Sequence, residues 1–352
     1  MYKVKITTLI YIYSLMFSSV AMSQIEKCFD LFKNQKSVHY DWQKLGFQSD
    51  RLREGHLVGA SFLAPNEKHI GLNTALFTRM PNRGMYISVG TERGLLSMSL
   101  VPKNEMILVQ VDRDPQVVLF NLINKALLEM SRNRKDYLFL RLNAQFKDIV
   151  TYLKNHEHDL SSESLNVILN QKNWSWWAQQ VQSNKAWSEF HDQTGSNPLV
   201  SFGRSHYLYH DDAFAVVSAL AKANRIVVLH ADLASFEFET QLRQVAQHEK
   251  SKIAVVDLSN SWQQGYVGHQ NTVDLLSRIQ DLYQLGSQVV LTYQDRDSEV
   301  NNLTTLFKYM SIGLDSRSDL KQISFVFSEL MRKENRRSQN SYNPRYNRFD
   351  RD

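Results

Sequence analysis

Five short apolar runs, separated by segments with helical periodicity, dominate the hydrophobic pattern of this chain. Residues 85–90 (MYISVG) and 106–112 (MILVQVD) are β-prone runs that end in a glycine and in an acid. Similar runs return at 225–230, 253–258 and 288–293. Nearly continuous apolar strands are typical of parallel strands that helices cover on both faces. The pattern therefore predicts an α/β fold with a doubly wound, mostly parallel sheet.

The segments between these runs predict the helices. Pro115 is well placed in the first turn of a helix that continues to about Ser131. Residues 135–223 are mostly helical in pattern and contain no convincing strand, which predicts a helical insertion between the second and third strands. The remaining predictions are helices at 236–249, 270–285 and 299–311 and a last strand at 322–328 (QISFVFS).

The first 23 residues have the features of an export signal. Lys3 and Lys5 precede an apolar run at 6–21, and small residues at 21–23 suit cleavage after Ser23. The run is shorter than the roughly 20 residues that span a bilayer comfortably, although an uncleaved anchor is the alternative. We therefore expect an exported protein, periplasmic or secreted, with no transmembrane span in the mature chain.

Charge changes this picture mainly at the carboxyl end. The net charge is +5, and Arg and Asn crowd residues 332–352, which contain almost no aliphatic side chains. We expect a disordered basic tail there, either simply solvated or binding an envelope partner or an anionic surface. Residues 24–80 would then form an N-terminal cap, and residues 81–331 the α/β domain with its insertion.

Candidate ligand-binding residues follow the first two strands. The loop after the first strand contains Gly90, Thr91, Glu92 and Gly94. Its glycines permit a tight turn and a close approach of a ligand to the backbone. The second strand ends at Asp112, followed by Arg113. A carboxylate there can accept hydrogen bonds from both hydroxyls of a ribose, and its spacing from Gly90 is close to the roughly 20 residues typical of nucleoside-binding folds.

The third and fourth strands are also followed by polar residues. Asp232 and Leu233 come after the third strand, where an acid could reach the exocyclic amine of an adenine. After the fourth strand come the candidate catalytic residues Asp257, Ser259 and Asn260 and the candidate substrate residues Trp262 and Tyr266. Asp, Ser and Asn are also common helix caps, so each residue alone could be an ordinary loop residue. Four such sites at consecutive strand ends together indicate a ligand site.

The order of these features resembles the class I S-adenosylmethionine-dependent methyltransferases. More closely, the sequences YISVGTERG, ILVQVDRDP, RIVVLHADL and IAVVDLSNSWQQGY resemble a poorly characterised set of bacterial proteins with that Rossmann-like fold and a long helical insertion. The resemblance implies that S-adenosylmethionine is the cofactor. The glycine loop and Asp112 would then contact its methionine and ribose parts, Asp232 and Leu233 its adenine, and residues 257–260 the methyl-transfer site.

Two functional hypotheses follow. The first is a methyltransferase of unknown acceptor, which would need no dedicated metal or nucleophile because methyl transfer depends mainly on positioning. The second is a non-catalytic exported binding or scaffold protein that reuses the fold. Departures from the methyltransferase pattern motivate the second, since Glu92 replaces the usual middle glycine of the loop and Ser88 replaces an acid. The export signal motivates it too, because the cofactor is made in the cytosol.

Two further clusters of residues are possible sites. Trp174, Trp176, Trp177 and Trp187 could line a cleft, but aromatic residues at helical spacing more often pack a core. His206 and His210, followed by two aspartates, could bind a metal, but the sequence offers no clear third ligand. We therefore predict no metal site.

Overall fold

The computed structural model describes residues 74–101, 105–156, 160–182, 203–263, 267–295, 306–314 and 317–341, all within the compact unit 42–352. They form a six-stranded sheet in the order β3-β2-β1-β4-β5-β6. All neighbours are parallel except β6, which is antiparallel to β5. The strands are β1 (Arg83–Val89), β2 (Glu105–Asp112), β3 (Ile226–His230), β4 (Ile253–Ser259), β5 (Tyr283–Asp295) and β6 (Leu306–Gly313). The predicted mostly parallel α/β sheet is confirmed.

Helices precede, connect and follow these strands. They are α1 (Thr74–Phe77), α2 (Arg93–Met98), α3 (Pro115–Met130), α4 (Arg134–Leu142), α5 (Phe146–Asn155), α6 (Ser162–Ile168), α7 (Gln171–Trp177), α8 (Asp211–Lys222), α9 (Phe236–His248), α10 (His269–Arg278) and α11 (Arg317–Ser341). A π-helical turn extends α7 over Ala178–Gln182. Helices α4 to α8 occupy the region where the sequence predicts an insertion. Helix α10 ends earlier than the predicted 285, because β5 already begins at Tyr283.

The sheet is buried on both faces. Along β1, Tyr86 packs into one hydrophobic core with α2, α3, α4 and α8, whereas Met85 and Ile87 pack into the other with α9, α10 and α11. The chain therefore covers one face before β3 and the opposite face after it. In such sheets the winding changes direction between the two central strands, here β1 and β4, and ligands bind in the crevice beyond their carboxyl ends.

Two predictions near the carboxyl end are wrong. Residues 306–311 belong to strand β6 instead of a helix, and residues 322–328 belong to helix α11 instead of a strand. A short apolar run does not by itself distinguish a strand from a buried helix. Ile323, Phe327 and Leu330 have helical spacing and are buried against the sheet. Phe325, which a strand would place beside Ile323 and Phe327, is instead 65% exposed.

Helix α11 also changes the expected boundary of the tail. It continues to Ser341, so the prediction of disorder from residue 332 is wrong for 332–341. The signal segment 1–23, the cap residues 24–73 and the tail residues 342–352 lie outside the described residues, and the predictions for them remain predictions. Within the described ranges, no helix combines the length and the apolar character needed to cross a membrane.

Helices α4 to α8 form a helical layer, and its tryptophans pack a core, as predicted. Trp177 is fully buried and stacks on Phe120 of α3, with 4.9 Å between ring centroids. Trp174 stacks on Trp177 and donates a hydrogen bond from Nε1 to the carbonyl of Ala144. Trp187 lies outside the described residues. The rings therefore attach α7 to α3 instead of lining a cleft.

Candidate functional site at the carboxyl ends of the strands

The glycine loop after β1 is shaped by backbone conformation and by two amide side chains. Gly90 has a φ of +84°, in the left-handed region that favours glycine, and a Cβ there would meet no atom of the described residues within 4 Å. The Gly90 carbonyl accepts a hydrogen bond from Nδ2 of Asn121, and the Thr91 carbonyl accepts one from Nε2 of Gln110 at 2.7 Å. The loop is therefore held from α3 and β2, and the described residues leave space beside Gly90.

Gly94 serves packing instead of ligand approach. A Cβ at Gly94 would lie 2.8 Å from Cδ1 of Leu108 and 3.0 Å from Cβ of Ser88. These atoms belong to β2 and β1, so only glycine lets α2 lie this close to the sheet. The resemblance implies that Gly94 contacts the cofactor. That expectation is corrected, because Gly94 instead lets α2 pack closely against the sheet.

Replacing Gly94 by Ala should lower the free energy of unfolding by about 1–3 kcal/mol, because the added methyl group overpacks the α2–sheet contact. Gly313→Ala is the matched control, since among the described residues a Cβ there would meet only Asp319, at an ordinary 3.8 Å. Urea denaturation of both variants measures the difference. Equal stability of the two variants would contradict this packing role.

Asp112 closes the carboxyl end of β2 and is partly exposed. Its Oδ1 accepts a hydrogen bond from the backbone N–H of Asp114 at 2.8 Å. Burial raises the pKa of Asp112 from 3.8 to about 6. Within the described ranges no ion pair holds this carboxylate, and the neighbouring Arg113 pairs with Asp232 instead, at 3.9 Å. Asp112 is therefore a partly desolvated carboxylate at the carboxyl end of β2 that makes no ion pair with the described residues.

Asp232 lies at the adjacent strand end. Its carboxylate is 46% exposed, and its Oδ1 accepts a hydrogen bond from the backbone N–H of Ala234. The backbone of Ala231 bonds to the carbonyl of Asp112, which holds the ends of β2 and β3 together. Leu233 is buried in the core, so its contribution to an adenine pocket would be limited to backbone. The structure thus brings Asp112 and Asp232 to one edge of the sheet, as predicted.

Glu92 does not face the crevice. It is fully buried and pairs with Nη2 of Arg141 on α4 at 2.6 Å, and it also accepts a hydrogen bond from the Tyr207 hydroxyl. The prediction that Glu92 contacts the cofactor is corrected on this ground, because both carboxylate oxygens are occupied inside the protein. The residue that departs from the methyltransferase pattern thus serves to attach the loop to the helical layer.

The partners of Glu92 form a buried polar network. Arg141 Nη1 donates to Oδ1 of Asn124 and to the Tyr137 hydroxyl, and its guanidinium lies over the rings of Phe120 and Trp177. Burial alone would lower the pKa of Arg141, but the attraction of Glu92 outweighs it and raises that pKa. Burial raises the pKa of Tyr137 to about 12. Arg141 therefore stays charged, and the network holds a fixed ion pair between the glycine loop and α4.

Asp257 is also enclosed. It is fully buried on β4, where both of its oxygens accept from Nε of Arg93, at 2.8 and 2.9 Å. The Tyr86 hydroxyl donates to Oδ2 at 2.6 Å. Burial, followed by the negative charge of Asp257, raises the pKa of Tyr86 well above its usual value. The catalytic assignment of Asp257 is therefore corrected: its carboxylate supports the structure and does not reach a ligand.

Ser259 and Asn260 form the turn after β4. Ser259 has a φ of +56°, and two other described non-glycine residues with positive φ, Asn224 and Lys250, follow the ends of helices. Ser259 instead ends a central strand, with its N–H donating to Oδ1 of Asp257 and its hydroxyl to Oδ1 of Asn260. Such backbone strain is concentrated at functional sites. The partly exposed Asn260 is thus held at the crevice by a constrained turn.

Trp262 lies in the core instead of a substrate pocket. Its side chain is fully buried, it stacks on Phe327 of α11 with 5.1 Å between centroids, and Nε1 donates to the carbonyl of Thr292. The prediction of substrate contact by Trp262 is corrected accordingly. Tyr266 lies outside the described residues. His206 directly precedes the turn at 207–209, and His210 occupies the N-cap position of α8 without a side-chain hydrogen bond to the helix. The described residues contain no group of three or more metal-ligating side chains.

Sequence reasoning missed the three residues that fix this site. Arg93, Arg141 and Tyr207 were not singled out, because charged and hydroxyl side chains ordinarily face solvent. One signal was available: Arg141 interrupts the apolar run of α4 (RKDYLFLRL), and Glu92 and Arg93 are adjacent opposite charges in a loop that must lie against the core. A charged side chain that the fold must bury needs a partner of opposite charge, because an unpaired buried charge is costly.

The comparisons with known proteins give a family and a distant structural likeness. The family model described as "Domain of unknown function (DUF7790)" matches residues 62–340. No curated protein matches the sequence. Two solved structures of the rRNA methyltransferase aviRa from Streptomyces viridochromogenes are similar, each with 11% identity. The 2.4 Å structure has a TM-score of 0.33 and the match covers 81% of this chain and 97% of that chain. For the 1.5 Å structure the values are 0.31, 82% and 98%.

Proposed function

This chain belongs to the DUF7790 family, and we propose that it is an S-adenosylmethionine-dependent, methyltransferase-like protein whose acceptor is open. Its cofactor site lies beyond the carboxyl ends of β1, β2 and β3. When bound, the cofactor would supply an activated methyl group. The residues of this chain would bind the nucleoside, orient it and exclude water.

The carboxylate of Asp112 is the observation that carries this proposal. It lies at the end of the strand next to the Gly90 turn, it is partly desolvated, and its pKa is raised to about 6. A carboxyl group that is desolvated without a cationic partner in the described ranges is costly for the fold alone, and such groups are concentrated at binding sites. The hydroxyls of a ribose would give it the hydrogen bonds that burial removes.

The remaining roles follow from the contacts of each residue. Space beside Gly90 admits a ligand to the loop backbone, and Asp232 on the adjacent strand end offers an acceptor for an adenine amine. The Ser259–Asn260 turn presents the Asn260 amide to the crevice. Asp257 and Glu92 act from behind the site, where they hold its loops in place. Catalysis would then depend on positioning donor and acceptor.

Calorimetric titration of the full-length protein with S-adenosylmethionine and S-adenosylhomocysteine tests this proposal. We expect a dissociation constant in the micromolar range, about −8 kcal/mol, for the wild type. Asp112→Ala should weaken it by about a hundredfold or more, because two hydrogen bonds to a charged acceptor are lost. Asp274→Ala, which removes an exposed carboxylate on α10, should leave the affinity unchanged. Absence of binding to folded wild type would refute the proposal.

A non-catalytic binding or scaffold protein is the second candidate. The complete burial of Asp257, at the strand end where a reacting carboxylate was expected, favours it. Binding of both nucleosides without methyl transfer to any tested acceptor would support this candidate over the enzyme.

We also propose that the protein is exported through the signal at 1–23 and that its basic carboxyl end, residues 332–352, engages an envelope partner or anionic surface. The sequence features at the two ends support this. Fractionation of cells that express the full chain is the corresponding measurement, and we expect a mature form without residues 1–23 in the periplasm or medium.

A further inference from the structure

Two adjacent residues of the glycine loop, Glu92 and Arg93, form buried ion pairs with different parts of the fold. Glu92 is bound to Arg141 in the helical layer, and Arg93 is bound to Asp257 on β4. All four side chains are at most 6% exposed. Both ion pairs are therefore shielded from water and depend strongly on geometry.

The Arg93–Asp257 pair joins the two loops that flank the crevice. Arg93 comes three residues after Gly90. Asp257 comes two residues before the strained Ser259, and its Oδ1 accepts a hydrogen bond from the Ser259 N–H at 3.1 Å. The guanidinium contacts both carboxylate oxygens, and its other side lies 5.0 Å from the ring centroid of Tyr309 on β6. A planar, bidentate contact of this kind fixes orientation as well as distance.

We propose that Arg93 is a positioning residue. Through Asp257 it sets the Ser259–Asn260 turn relative to the glycine loop, so that the nucleoside side and the acceptor side of the crevice are held in one arrangement. This inference rests on the proposed function only for the identity of the ligand. The link between the two loops is inferred only from the contacts of Asp257 with Arg93 and Ser259.

Hydrogen exchange of the full-length protein tests the link without any ligand. Asp257→Asn removes the charge but keeps the shape, and amides of residues 88–98 and 256–263 should both exchange at least about tenfold faster. Glu163→Gln is the matched control. It also removes the charge of a carboxylate that pairs with a buried cation, in this case Lys125 on α3. It should leave both segments unchanged. If Asp257→Asn does not fold, Tyr86→Phe takes its place in this experiment, because it removes one hydrogen bond to Asp257 and no charge.

Titration with S-adenosylmethionine adds a readout that general destabilisation does not produce. Arg93→Met should weaken binding by about tenfold to a hundredfold, the range that loss of supporting partners costs at metal sites. Arg93→Lys should recover part of it, because it restores the charge but not the bidentate contact.

The outcomes separate the two proposals. Faster exchange in both segments together with weaker binding supports the positioning role. Faster exchange in a protein whose wild type binds no S-adenosylmethionine supports the link and refutes the proposed function. Exchange that rises only around residue 257, with the glycine loop unchanged, overturns the positioning role whether or not the ligand binds.

Discussion

Replacing Arg141 by Met should lower the free energy of unfolding by about 3–5 kcal/mol, the cost of leaving one partner of a buried ion pair unpaired. The carboxylate of Glu92 would remain fully buried, with the Tyr207 hydroxyl as its remaining hydrogen-bond donor among the contacts described above. Methionine fills much of the space and can still contact Phe120 and Trp177, so the lost charge accounts for most of the effect.

Arg243→Met is the control for this experiment. Arg243 pairs with Glu239 and Asp281, but its side chain is 36% exposed, so its loss should cost less than about 1 kcal/mol. The double variant Glu92→Gln, Arg141→Met should recover a large part of the loss, because it no longer buries an unpaired charge. Urea denaturation of the four proteins gives the values. A loss for Arg141→Met no larger than for Arg243→Met would contradict the buried network.

Asp112→Asn should make the unliganded protein more stable at pH 7, on the order of 3 kcal/mol, while it weakens nucleoside binding. The pKa of Asp112 is about 6 in the folded protein and 3.8 without burial. A group whose pKa is raised by folding disfavours the folded state when it is ionised, and each unit corresponds to about 1.4 kcal/mol. Asparagine keeps the shape of the side chain and the acceptor for the Asp114 N–H but has no charge to desolvate.

The stability gained by Asp112→Asn depends on pH. Below about pH 4 aspartate is protonated in both states and the gain vanishes; it grows between about pH 4 and pH 6 and is constant above. Asp136→Asn is a control of opposite sign. Burial opposes ionisation of Asp136, but hydrogen bonds from Arg132 and Tyr152 outweigh it and lower its pKa. That variant should be less stable at pH 7, by an amount that shrinks as the pH falls. Thermal unfolding from pH 4.5 to pH 8 measures both trends.

The two Asp112 variants address different aspects of the same residue. A variant that unfolds less readily but binds the nucleoside more weakly is expected where the natural residue favours binding and destabilises the fold. If Asp112→Asn destabilised the protein, the carboxylate would instead be a structural element of the strand end, and the titration with Asp112→Ala would have to be interpreted as a folding defect.

Hydrophobic periodicity by itself determined the parallel part of the sheet. The five apolar runs at 85–90, 106–112, 225–230, 253–258 and 288–293 became β1 to β5, because strands covered on both faces must be apolar along their length. Local chemistry also determined the start of α3, where Asp114 caps the helix and Pro115 occupies its first turn. The positions of Asp112 and Asp232 at one edge followed from the parallel order alone.

Only the tertiary structure decided what each polar residue at that edge does. The sequence places Glu92, Asp112, Asp232 and Asp257 alike at or near the carboxyl ends of strands, but their environments depend on residues far away in the chain. Arg141 reaches Glu92 from α4 and Arg93 reaches Asp257 from α2, so the carboxylates of two of the four acids pair with buried arginines. The assignment of QISFVFS to a helix was decided in the same way, because the sheet face that it covers accepts Ile323, Phe327 and Leu330 together. A local pattern specifies which side chains must be buried, whereas the partner of a buried charge is specified by packing between distant elements.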